Sequence, residues 1–224
     1  MRLHNILIAT LSPFIALTAS GSLIEYQDVD RTVSAFMNCD GGTIQDNDSV
    51  WWFSTIEEGN ILGAVRAHQQ SDLTTNSLFF ESDTQASGMP LMGEAYSSSS
   101  LNTTMTLSSD SILDLSWSYL LELDGESSGG AGMRISTEDG YSIFDIELQF
   151  EGDMAATSEM GLVAGSYLVE IYLGSNVGSW SVGQASTAFE VSMAISSVPT
   201  PGALALVAVA ILAGGTRKRG LPRP

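Results

Sequence analysis

The side chains that could do chemistry are carboxylates, a few aromatics and one thiol. Asp and Glu number 26, so close carboxylate pairs are unavoidable. A glycosidase needs two on facing strands at a set separation, and sequence order alone does not specify that. Asp46-Asn47-Asp48-Ser49 sets oxygen donors at the short spacing that Ca²⁺ favours, with Asp46 and Asp48 as candidate ligands. The run lacks the Gly and the bidentate Glu of an EF-hand loop, and a simple Asx turn accounts for the same residues. Trp51-Trp52 could stack on sugar rings. Neighbours on a strand point to opposite faces, however, so one of the two belongs to the core. Trp180, in Gly178-Ser179-Trp180-Ser181, reads as a loop aromatic and is the better candidate for a glycan contact. Cys39 is the only cysteine, so no internal disulfide can form. A Cys–His pair within the domain could use only His68, because His4 lies in the N-terminal segment. Zinc motifs, a P-loop and Gly-x-Ser-x-Gly are all missing. These residues predict no catalytic group and no cofactor, with Ca²⁺ the one ion they could take.

Whatever these residues do, strands must position them. Leu113, Leu115, Trp117, Tyr119, Leu121 and Leu123 fall at strict period two, which is a long strand with one buried face. Phe144, Ile146, Leu148 and Phe150 alternate, as do Tyr167, Val169, Ile171, Leu173 and then Phe189, Val191, Met193, Ile195. Glu138-Asp139-Gly140 between two alternating runs is the clearest hairpin signal. Leu23 to Gln27, Thr32 to Met37, Val50 to Ile56, Ser77 to Glu81 and Thr103 to Leu107 read as shorter strands. Ile61 to His68 reads as strand or short helix. Cys39 to Ser49 reads as a loop, Glu57 to Asn60 as a turn, Ala86 to Met89 and Ser97 to Ser100 as punctuation, and Asp124 to Gly132 as a Gly- and Ser-rich turn. Strand runs without sustained helical periodicity predict an all-β protein, a jelly-roll-like sandwich of about 9 to 12 strands. The last strand is expected to deliver the C-terminal segment at one edge of the domain.

The charge is lopsided. All the carboxylates lie between Glu25 and Glu190, where Arg31, Arg66 and Arg134 are the only Lys or Arg. Such a surface repels nucleic acid and anionic lipid but does not exclude a neutral polysaccharide. Acidity alone also keeps an exported protein soluble by self-repulsion, with no target required.

Both ends carry signals of another kind. Met1 to Asn5 is a short n-region with one Arg, Ile6 to Ala19 is mostly apolar, and Ala19-x-Gly21 offers a small-x-small cleavage site. This predicts a secretory signal over 1–21 and an acidic β domain over 22–197. The stretch 198–224 opens with Val198-Pro199-Thr200-Pro201-Gly202, whose prolines forbid regular helix. An apolar run, 202–215, predicts a C-terminal apolar helix. Its 14 residues rise roughly 21 Å against a hydrocarbon core of roughly 30 Å, a marginal span that suits a temporary anchor. Arg217-Lys218-Arg219 then holds the cytoplasmic side.

This order of Pro motif, short apolar helix and basic end resembles the PEP-CTERM sorting tail, in the Val-Pro-Thr-Pro-Gly form found in planctomycete-type bacteria. Thr200 stands where the family's name-giving Glu would be. The resemblance implies export, transient retention in the inner membrane, cleavage near the Pro motif by an exosortase-type membrane protease, and release to the cell surface or extracellular matrix. Two readings of the β domain remain open. One is a non-catalytic surface or matrix protein. The other is a carbohydrate-binding sandwich that holds exopolysaccharide, with an exported glycan-active enzyme behind both.

Overall fold

The computed structural model describes residues 23–37, 40–47, 51–60, 63–88, 94–179 and 181–198. Among these are twelve strands: β1 Ile24–Met37, β2 Asp40–Asp46, β3 Trp51–Asn60, β4 Gly63–Leu73, β5 Ser77–Gly88, β6 Ala95–Leu107, β7 Ser111–Gly125, β8 Ser127–Thr137, β9 Ser142–Leu148, β10 Gly152–Leu162, β11 Gly165–Val177 and β12 Gly183–Ser197. They form two six-stranded sheets, a front sheet ordered β2-β1-β6-β11-β8-β9 and a back sheet ordered β10-β7-β12-β5-β4-β3. Every pairing is antiparallel. No helix among the described residues is long and apolar enough to cross a membrane. The expected signal peptide and C-terminal apolar helix lie outside the described residues.

The winding explains the all-β expectation. β5 pairs with β12, β6 with β11, β7 with β10 and β8 with β9. These eight strands are one long antiparallel ribbon, folded at the β8–β9 turn and rolled so that successive pairs alternate between sheets, the path of a jelly roll. The fold point is the Glu138-Asp139-Gly140 hairpin. Gly140 there takes φ +85°, a region that favours glycine, and its N–H donates to the Thr137 carbonyl at 2.9 Å. The Thr137 hydroxyl also donates to the Asp139 carboxylate. β1 to β4 then widen the roll, β1 and β2 beyond β6 in front, β4 and β3 beyond β5 behind.

Several local expectations are corrected. Leu23–Gln27 and Thr32–Met37 are one strand, β1, interrupted by a bulge between Gln27 and Asp30 with Asp28 at φ +52°. The extra residue shifts the inward parity, so Ile24 and Arg31 both face the core. Cys39–Ser49 is not simply a loop: Asp40–Asp46 is β2, paired along Arg31–Met37. Gly41 is required there because a Cβ would sit 2.0 Å from the Ala35 carbonyl oxygen. Glu57–Asn60 continues β3, and Gly63–His68, within the run read as strand or short helix, belongs to strand β4, with Asn60 paired to Gly63. Ala86 to Gly88 belongs to β5. Ser97–Ser100 is the middle of β6, where Ser97 and Ser99 are the buried residues. The Gly/Ser stretch after Asp124 is mostly β8, leaving Glu126 alone between β7 and β8. β10 has no sequence signal, because Asp153 to Met160 reads Asp-Met-Ala-Ala-Thr-Ser-Glu-Met without an apolar alternation.

The interior divides along the sheets. Between β7, β12, β8 and β11 it is apolar, with Leu113, Leu115, Tyr119, Leu121, Met133, Ile135, Val169, Ile171, Phe189 and Val191 in one cluster. Each such side chain stabilises by roughly 1.5–3 kcal/mol. Between β1, β4, β5 and β6 buried polar groups are set among apolar ones such as Val33, Val65, Phe80 and Leu101. Arg31 is fully buried and donates from Nε to Ser71 Oγ at 2.7 Å and from Nη1 to Asp46 Oδ2 at 3.1 Å. Ser99 donates to Gln69 Oε1 at 2.8 Å, and the hydroxyls of Thr84, Ser175 and Thr187 link both sheets at 3.0 Å spacings.

Both described termini leave from the same end. Ile24 N–H donates to the Thr75 carbonyl and Ile195 N–H to the adjacent Asn76 carbonyl, while Ser108 bonds Leu23 and Val198 bonds Asp110. The C-terminal exit is therefore at the end of β12, a central strand of the back sheet, at one end of the sandwich.

Candidate functional site

A groove of about 520 Å³ lies on the outer face of the front sheet, over β6, β11, β8 and β9. Its position follows from register. On the outer face, Ser98 of β6 lies beside Gly174 of β11, and Gly174 beside Gly130 of β8. Two residues away along the strands on one side, Tyr96 pairs with Asn176 and Asn176 with Ser128. Two residues away on the other, Ser100 pairs with Tyr172, Tyr172 with Gly132, and Gly132 with Glu147. At roughly 3.3 Å per residue, the two tyrosine rows stand about 13 Å apart with a row of minimal side chains between them.

The walls are specific. Tyr96 is 39% and Tyr172 46% exposed. The Tyr172 ring lies over Gly132, where a Cβ would come 2.4 Å from its hydroxyl. Burial first, and then the Glu147, Asp145 and Glu170 carboxylates, push the Tyr172 hydroxyl upward, so it stays protonated as a donor. Asn176 Nδ2 donates to Glu94 Oε1 at 3.0 Å, while its buried Oδ1 has no protein partner. Glu147 and Gln149 close the β9 end. No Lys, Arg or His is among the described lining residues. Arg134 stands one row further on, between Glu170 and Asp145 in register.

The back sheet offers a smaller hollow of about 310 Å³, with Glu81, Asp83, Asp153 and Glu190 around it. Glu81 and Glu190 are directly opposed in the β5–β12 register. Beneath them, Tyr119 and Phe189 pack edge to face at 6.4 Å, and burial pushes the Tyr119 hydroxyl up to about 12.

The residues singled out in the sequence are spread apart. Trp52 is buried and Trp51 is 57% exposed on the edge strand β3. Trp51 lies parallel to Phe53 at 6.4 Å, and Phe53 meets His68 edge-on at 4.8 Å. His68 Nδ1 is hydrogen-bonded to Thr55 Oγ1 at 3.0 Å. Trp117 is only partly buried, at the margin of the main core. Asp46 uses a carboxylate oxygen on Arg31, whose own pKa burial lowers against the pull of Asp46 and then Asp72. Among the described residues, no three His, Cys, Asp or Glu side chains come together as a metal-binding group. Val198 is exposed at the end of β12. Cys39, Asp48, Trp180, Pro199 to Gly202 and Arg217 to Arg219 lie outside the described residues. Tyr96, Tyr172, Asn176 and Glu147 were missed, because they converge only through the pairing of strands distant in the chain. Gly129, Gly130, Gly132 and Gly174 were the available trace of a surface stripped of side chains.

No protein-family model matches the chain, and no curated protein matches it. Among solved structures, the chain is similar to the enzymatically active domain of bacteriophage CBA120 tailspike protein 4 at 16% identity and a TM-score of 0.26, over 66% of this chain and 20% of that one. It is also similar to structures of infectious bursal disease virus. The Gx strain gives 10% identity, a TM-score of 0.30, and coverage of 80% of this chain and 56% of that one. The Gt strain gives 9% identity, a TM-score of 0.21, and coverage of 86% and 75%. The chain thus spans a fifth and about half of the first two, and similarities this low carry no inference about activity.

Proposed function

We propose that this is an exported, non-catalytic cell-surface or extracellular-matrix protein, delivered by its two terminal segments. The observation that supports it is the shared exit. Leu23 and Val198 leave the sandwich at one end, held by the neighbouring 74–76 and 108–110 turns. A chain anchored by the segment after Val198 would hang from the inner membrane by this end, with both sheet faces free. The apolar run 202–215 stops in the membrane, Arg217-Lys218-Arg219 holds orientation, and an exosortase-type protease cleaves near Pro199 to Gly202 and frees the domain.

The test is the intact mass of the protein taken from the native envelope and from the medium. The proposal requires a released chain that starts near Ser22 and ends near the Pro motif. Chains still ending at Pro224 in the membrane fraction, with none released, would replace it with a permanently anchored ectodomain.

A second reading is favoured by the front groove. Two exposed tyrosines, the Gln149 amide and a floor of hydroxyls suit a carbohydrate, so the matrix role would include holding exopolysaccharide. Trp51 and Phe53 on β3 are a competing place for the same contact.

A further inference from the structure

We infer that the front-sheet groove is a cleft for an extended segment of an uncharged polysaccharide, lying across the strands between Tyr96 and Tyr172. The inference rests on the carbohydrate-binding reading and specifies its site, direction and ligand class.

Direction comes from the rows. Ser98 of β6, Gly174 of β11 and Gly130 of β8 are consecutive neighbours on the outer face. Three strands at about 4.8 Å spacing make a floor roughly 10 Å long, perpendicular to the strands. That is room for a short run of pyranose rings, and only serine and glycine side chains stand on the floor. Tyr96 and Tyr172 rise on opposite sides of it and near its middle, where each can lay an apolar ring face against a sugar and offer its hydroxyl to a sugar oxygen.

Ligand class comes from charge and hydrogen-bonding capacity. The described lining has no cation, and its charged member is Glu147. Glu94 holds Asn176 from the rim at 3.0 Å. A polyanion such as a uronate or sulfated chain would approach carboxylates without compensation. An uncharged chain suits the groups present. The Ser98, Ser100 and Tyr hydroxyls both donate and accept, and Gln149 does the same through its amide. Asn176 is held by Glu94 with its Oδ1 buried, so the acceptors open to a ligand are the hydroxyls and Gln149.

The test is affinity electrophoresis of the purified full-length chain through gels containing dextran, galactomannan or arabinoxylan, with alginate as the polyanion. The expected result is retardation by at least one neutral polymer and none by alginate. Affinity should fall at least tenfold in Tyr172→Ala and in Ser98→Leu, which fills the floor from the outer face. Trp51→Ala and Phe53→Ala should bind as the parent does. Melting temperature and near-ultraviolet circular dichroism check each variant, and Ser98→Leu decides the case if Tyr172→Ala is misfolded. Binding that survives both groove variants and disappears with Trp51→Ala or Phe53→Ala would overturn the groove and leave the carbohydrate reading standing. Equal retardation by alginate would overturn the uncharged class. No retardation by any neutral polymer would overturn both readings, as would self-association through this face that Ser98→Leu abolishes.

Discussion

The two outer faces of this sandwich are built by the same ribbon and differ in what they show to solvent. On the front face, the inner strands β6, β11 and β8 carry Ser98, Ser100, Gly174, Gly130 and the two tyrosines, with charge confined to Glu170 and its register partner Arg134. On the back face, β7, β12 and β5 present Asp114, Glu122, Asp124, Glu190, Glu81 and Asp83, with Arg66 of β4 pairing Asp83 at 3.8 Å as the cation beside them. The larger hollow lies in the sparsely charged face and the smaller in the acidic one. The net charge of −18 is therefore not a uniform coat. One face carries most of the repulsion between like charges. The other holds a cleft whose charged described lining residue is Glu147. A whole-chain charge count averages over this division, and the proposed uncharged ligand rests on it.

The comparison can be broken most severely at the open edge of the front sheet. Arg31 is fully buried there, and Asp46 at 21% side-chain exposure is its counterion. Asp46→Ala leaves a buried guanidinium without that carboxylate and should cost about 3 kcal/mol, since breaking a buried pair exceeds the net worth of keeping it. Chemical denaturation checks the value. Arg31→Met added to Asp46→Ala should recover part of the loss, and a double variant weaker than Asp46→Ala alone would show that the pair is not what holds β2 against β1.

A second way acts from beneath the back face. Tyr119 is buried, its hydroxyl has no protein partner, and its pKa stands near 12 against an ordinary value of 10. The folded state keeps a proton that the unfolded chain releases. Stability should therefore be level below about pH 10 and fall as pH rises through 12. Thermal melts from pH 8 to 12 follow this directly. Tyr119→Phe should lessen the decline, which Tyr26, Tyr167 and Tyr172 share because burial raises them too, and an unchanged decline would assign it to those groups.

The smallest effect sharpens the electrostatic contrast. Glu190→Gln removes one of two directly opposed carboxylates and should raise the melting temperature slightly at low ionic strength. At about 1 M salt, where the Debye length is roughly 3 Å, the gain should vanish. A front-face substitution such as Glu170→Gln should behave differently, because Glu170 faces Arg134 and losing it removes a favourable neighbour. Equal responses on the two faces would erase the distinction.

The parts of this architecture legible in the sequence are those where polarity and strand period agree. Leu113 to Leu121 announce β7 because each second residue is large and apolar, and Asp139-Gly140 marks the point at which the ribbon folds back. The first half of β6 is hidden because its inward residues include Ser97 and Ser99, which are buried with their hydroxyls bonded to Gln85 and Gln69. Burial satisfied by hydrogen bonds leaves no hydropathy signal. β1 reads as two strands because its bulge shifts the inward parity in mid-strand. The sequence also separates Trp51 from Trp52 correctly by strand alternation alone. The groove is illegible for a different reason. Tyr96 and Tyr172 are 76 residues apart and meet only because β6 pairs with β11 in one particular register. A polar surface built from serines and glycines reads, in one dimension, as turns.

The most direct measurement is amide hydrogen exchange of the full-length chain with and without the neutral polysaccharide that retards it. The account predicts added protection in β6 from Tyr96 to Asn102, in β11 from Glu170 to Asn176 and in β8 from Ser128 to Arg134, with β3 and β4 unchanged. Protection confined to Trp51–Glu57 and Arg66–Asp72 would contradict it, placing the polymer on the edge of the back sheet and leaving the front groove without a ligand.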